Sequence, residues 1–185
     1  MRKDSKDSLE KMIRFLSGIG ITVQQESNVN GFIPGVDIRK GAVLAFNAAQ
    51  MEGVGDLLHE AGHLAVIPSM FRGEVFGDID AALMEASSEY VKTHPIMIPG
   101  TYEEDPVIRA LIQASEQEAI AWSYAAALEI GIEPTVVFHP KSFGGDNEEV
   151  LLGLQIKQHA GINGMSAARM TTRQMFPKMI RWMQV

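Results

Sequence analysis

Apolar residues recur along this chain with two periods, and the period assigns most of its elements. In residues 8–17, Leu9, Met12, Ile13 and Leu16 fall on one helical face, and Gly18 and Gly20 end the run. Residues 21–25 alternate as a strand does. Residues 31–47 read as a two-strand hairpin turning at Arg39-Lys40-Gly41. Residues 54–67 predict an amphipathic helix packed through Leu57, Leu58, Leu64, Val66 and Ile67. Gly53 and Gly55 break the chain before it, Asp56 suits its positive end, and Pro68 closes it. Residues 79–92, rich in alanine and serine, read as a surface helix. Residues 107–130 read as one long helix, apolar nearly all round and so buried on most sides. Further on, the pattern predicts an extended segment over 133–140, a loop over 142–147, a helix over 148–160, a turn over 161–165 and a methionine-rich tail. The fold class implied is α+β: a small N-terminal sheet on a mostly helical core, with residues 1–185 as a single domain.

Composition narrows the field. With 23 acidic and 16 basic residues the net charge is −7, which argues against a nucleic-acid partner. Without cysteine there are no disulfides, thiolate metal sites or cysteine nucleophiles. No hydrophobic stretch is long enough to span a membrane and the first residues are charged, so the reading is a cytoplasmic protein with no membrane partner. The eleven methionines read as core filler more readily than as a binding surface.

The chemistry lies in the 54–67 helix, where residues 59–63 are His-Glu-Ala-Gly-His. Positions i and i+4 lie one above the other on a helix, so His59 and His63 can grip one Zn2+ ion. Glu60 comes round toward the same ion and can take a proton from its bound water. Ala61 and Gly62 are small, which lets this helix lie close to another backbone. Gly62 costs roughly 1 kcal/mol of helix propensity relative to alanine, a cost that space at this point would explain.

Catalytic zinc usually has three protein ligands and an open position. The continuation that would supply a third histidine is absent, with Val66 and Ser69 at the relevant places. The remaining candidates are carboxylates: Glu116 or Glu118 in the long apolar helix, and Glu85 or Glu89 in the surface helix. A carboxylate within an apolar helix needs a partner, which favours the first pair. Periodicity does not choose between Glu116 and Glu118. The strand over 42–46, just before the motif helix, is either an edge along which a peptide could lie or ordinary core sheet. His139 and Tyr124 are candidates to stabilise negative charge on a substrate oxygen.

With both pieces in place the chain resembles gluzincins, zinc peptidases whose third ligand is a glutamate on a second helix. Within that group it distantly resembles the ImmA/IrrE-type metallo-endopeptidases, which carry H-E-x-G-H and later E-x-E-A-N-x-F-A. Here the corresponding segments are His59-Glu60-Ala61-Gly62-His63 and Glu116-Gln117-Glu118-Ala119-Ile120-Ala121-Trp122-Ser123. Ile120 and Trp122 depart from the pattern, and the Leu-Leu-Met-Pro ending is missing. The resemblance covers about residues 47–129. It implies a zincin-like fold, His59, His63 and Glu118 as Zn2+ ligands, Glu60 as general base, and a peptide or protein substrate. The alternatives are a zincin-like binding or regulatory module without turnover, and a zinc hydrolase of non-peptide amides.

Overall fold

The structure is a computed structural model that describes residues 3–94, 105–140 and 145–185. Its architecture is α+β, with eight α-helices and one three-stranded sheet among the described residues. Helix α1 (Lys3–Gly18) buries Leu9, Met12 and Leu16 along the expected stripe. Strands β1 (Thr22–Gln25), β2 (Val36–Arg39) and β3 (Val43–Phe46) follow. The β2–β3 pair is antiparallel, with Ile38 opposite Leu44, and β1 runs parallel to β3, so the sheet is mixed. The turn between β2 and β3 places Gly41 and Ala42 at φ +86° and +59°.

The sheet order is β1-β3-β2. The strand just before the motif helix is therefore the middle strand, bonded on both sides, and its reading as a peptide-accepting edge fails. The outer edge of β2 is itself partly occupied, since the Gly77 amide donates to the Ile38 carbonyl at 3.1 Å.

Helix α2 (Asp56–Val66) carries the motif and forms the centre of the molecule, with all eleven residues buried. It packs on β2, β3 and α1, and most extensively on α6 (Glu116–Glu129). After it come a single turn, α3 (Ser69–Arg72), and α4 (Ile79–Thr93), whose outer face is exposed as its composition requires. Arg72 reaches back to the last carbonyls of α2. Its guanidinium donates to Leu64 and Ile67, each at 2.8 Å, and to Gln184 of the C-terminal tail. Those carbonyls have no partner within the helix, so the arginine both satisfies them and ties the tail to α2. The tail is further anchored by Trp122 Nε1 donating to the Trp182 carbonyl at 2.8 Å.

Four expectations are corrected. Residues 107–130 are not one helix: α5 (Pro106–Ile112) ends, and α6 begins after Ser115. Residues 133–140 are not extended, since Pro134–Val136 form a 3-10 turn. Helix α7 (Asn147–Gln155) stops five residues before 160, and the expected turn over 161–165 is helix α8 (Gly161–Ala167), packed on α6. The loop expected over 142–147 lies partly outside the described residues. Met12, Met165 and Met170 are fully buried, as core filler should be, whereas Met70 and Met84 are exposed.

Candidate metal centre

His59, Glu60 and His63 are each more than nine-tenths buried, and each offers a ligand atom within 4.8 Å of those of the other two. The helical period brings the two imidazoles to the same side of α2, with ring centroids 5.0 Å apart and planes at 90°. Gly62 lies beside that face, toward α6. A Cβ there would stand 2.7 Å from the Ala119 carbonyl oxygen and 3.1 Å from its Cα, closer than packing permits. The glycine therefore lets α2 and α6 touch backbone to backbone, which draws the start of α6 up to the histidines.

What that start presents is Glu116. One of its carboxylate oxygens lies 3.4 Å from His59 Nε2 and the other 3.1 Å from His63 Nε2. Bonds of about 2.0–2.1 Å in a tetrahedral zinc site put neighbouring ligand atoms about 3.3 Å apart. Each nitrogen-to-oxygen distance is close to that spacing, and His59, Glu60 and His63 form a buried group that could hold a metal ion.

Glu118, preferred from the sequence, is not the carboxylate that faces the imidazoles. Ser115 caps α6, and Glu118 at the third helical position closes the reciprocal capping box. One Glu118 oxygen accepts from the Ser115 amide at 3.2 Å and from the Ser115 hydroxyl. The other presses against α8, where a Cβ on Gly164 would come within 1.9 Å of it. Its burial is thus explained by a cap and a glycine-lined slot. Because the helix starts at Glu116 instead of running through it, this residue projects from the first turn into the site.

Electrostatics at the centre follow from these contacts. Burial opposes ionisation of Glu116, but hydrogen bonds and charge from His59 and His63 outweigh it and hold the carboxyl far below the ordinary carboxylate range. For His59, burial favours the neutral ring, yet the hydrogen bond and charge of Glu116, with Glu60 and Asp56 behind, prevail and raise its pKa. Burial pushes the Glu60 carboxyl up, only partly offset by the two histidines. A carboxylate so raised is a better proton acceptor than an exposed one. Glu118 is also raised by burial, against the hydrogen bonds from Ser115.

The centre opens into a cavity of about 330 Å³ lined by Glu60, both histidines and Glu116, with Ile33, Val137 and His139 on its walls. His139 is held at the mouth, its Nε2 3.5 Å from Asp56 Oδ1, while the second Asp56 oxygen accepts from the Gly53 amide at 3.0 Å. Of the two candidates for charge stabilisation, His139 lines the cavity. Tyr124 does not: it is buried against Phe138 and Phe176. Glu85 and Glu89 are exposed on α4, and Glu89 pairs with Lys92 at 3.2 Å. Sequence reasoning missed the cavity wall made by residues 32–34 and the part played by Asp56. The Gly31-Phe-Ile-Pro-Gly35 run, two apolar residues bracketed by helix- and strand-breakers, marked a projecting loop.

No family model, curated protein or solved structure matches this chain.

Proposed function

We propose that the protein is a zinc-dependent peptidase of zincin-like fold in which His59, His63 and Glu116 hold the metal and Glu60 is the general base. The observation that carries this reading is the approach of both Glu116 oxygens to the two Nε2 atoms, at 3.4 and 3.1 Å, beside a buried glutamate. Bound zinc would polarise the scissile carbonyl and lower the pKa of its water to about 7.

The chain's own groups supply the rest. Glu60 takes one proton from the attacking water as its oxygen bonds to the carbonyl carbon. As the carbon–nitrogen bond breaks, Glu60 passes that proton to the leaving amine, which departs neutral. Its burial keeps the carboxyl basic enough for the first transfer and acidic enough for the second. His139, on the cavity wall, would donate a hydrogen bond to the carbonyl oxygen as negative charge grows there. The half-exposed Glu116 and the open cavity give an amide substrate a route to the centre.

Among the described residues no helix is long and apolar enough to cross a membrane. Glu60→Gln tests the reading. It should retain about one zinc per chain and lose hydrolysis of a broad peptide library. Zinc binding with no difference between wild type and Glu60→Gln would point instead to a binding module, and turnover confined to non-peptide amides to a different hydrolase.

A further inference from the structure

A second cavity, also about 330 Å³, adjoins the first, and the two share Glu60, His63 and Glu116. The cleft therefore has two arms that meet at the candidate metal centre. One arm passes Val137 and His139. The other passes the start of α4, from Gly77 to Met84. One further residue lines both arms: Phe32, at the tip of the loop between β1 and β2, 93% exposed.

That exposure is held in place. The loop is closed by a bridge between Asn30 and Pro34, and the Val36 amide donates to the Ile33 carbonyl at 3.2 Å. Gly35 turns the chain back at φ +80°. A large aromatic presented to water on a closed loop, at the crossing of two cavities, leaves apolar area that burial by a ligand would stabilise. Met84, 74% exposed, adds apolar surface to the α4 arm. No lysine or arginine lines either arm among the described residues, whereas Glu52, Asp78 and Asp80 do. The field at the entrance thus repels acidic groups.

Resting on the zinc-peptidase reading, we propose that Phe32, with Ile33 and Pro34, is an apolar subsite. It selects peptides bearing a bulky apolar side chain beside the scissile bond and disfavours acidic ones. Phe32 acts by covering that side chain as the substrate lies across the junction of the arms. The subsite requires no movement of the sheet or of α2.

Three hydroxamate probes separate the subsite from the metal centre, because each presents the same metal-binding head. They are acetohydroxamate, 3-phenylpropanohydroxamate and succinate monohydroxamate, titrated against the zinc-loaded protein. The phenyl probe should bind at least about tenfold tighter than the methyl probe, from the area it covers, and the acidic probe weakest of the three. Phe32→Ala should abolish most of the phenyl advantage while leaving acetohydroxamate affinity and thermal stability unchanged, and Phe32→Leu should keep part of it. Equal affinity for the phenyl and methyl probes, or a phenyl advantage that survives Phe32→Ala, would overturn the subsite and leave the metal centre standing. Zinc-loaded protein that bound none of the three would overturn the zinc-peptidase reading, and the subsite with it.

Discussion

Glu116 and Glu118 are two residues apart on one helix, and Ser115 separates their fates. A serine three positions before a glutamate is a capping box, and the reciprocal bonds fix Glu118 at the third position of α6. Glu116, at the first position, is left to face His59 and His63. Losing a metal ligand is costly, whereas a capping glutamate can be replaced by glutamine, which makes the same bond. Glu116→Ala should therefore lower zinc affinity by at least about tenfold, while Glu118→Gln should leave it nearly unchanged. Competition titration against a zinc-chelating dye reads both, and the reverse order would restore Glu118 as the ligand. The same contacts set a pH dependence in metal-free protein. Glu116 has a depressed pKa, so its contribution to stability is present above its unfolded value of about 4.3 and is lost as pH falls. His59 has a raised pKa, so its contribution is present below its unfolded value of about 6.5 and is lost as pH rises through its folded value. The stability difference between wild type and Glu116→Ala, measured by thermal denaturation, should thus peak at roughly pH 4.3–6.5. Zinc requires the neutral imidazole, so its binding should tighten as pH rises across the same region. A difference that grew steadily toward pH 9 would contradict the His59–Glu116 pairing.

At the scale of elements, the contact of α2 with α6 positions the centre, and one glycine permits it. Gly62→Ala would gain roughly 1 kcal/mol of helix propensity. Its methyl group, however, would meet the Ala119 backbone at 2.7 Å, and overpacking of that kind costs about 1–3 kcal/mol. Net destabilisation in urea denaturation, together with weaker zinc binding, is the expected outcome; a stabilised variant would mean that the helices are not in backbone contact. This close approach was legible in the sequence, because a glycine inside a strongly apolar helix needs a reason. The β2–β3 hairpin and the α1 stripe were legible for the same kind of reason, since their periods are local. The break between α5 and α6 left a signal too, in Ser115-Glu-Gln-Glu118, but the apolar run on either side reads through it. The middle position of β3 left none. Strand order depends on where β1 returns, and no local pattern encodes it. Helix α8 was hidden because Gly161 and Gly164 look like turn residues, whereas they serve close packing against Gln117 and Glu118.

Across the whole molecule, the residues that matter come from distant parts of the chain. The loop between β1 and β2 supplies Phe32, α2 supplies His59, Glu60 and His63, and α6 supplies Glu116. The segment after α6 supplies His139, and the C-terminal tail is bound through Arg72 to the end of α2. Such a centre is positioned by the core: α1, the sheet, α2, α6 and α8 share one hydrophobic cluster. The acidic balance of the chain is repeated at the cleft, where Glu52, Asp78 and Asp80 line the two arms. On the proposed reading this assembly brings His59, His63 and Glu116 onto one zinc ion. Anomalous scattering at the zinc absorption edge, from crystals of zinc-loaded protein, tests it most directly. A single strong peak is expected at about 2.0–2.2 Å from His59 Nε2, His63 Nε2 and a Glu116 oxygen, with Glu60 beside it and not bound. A peak ligated by Glu118, or no peak between the two histidines, would contradict it.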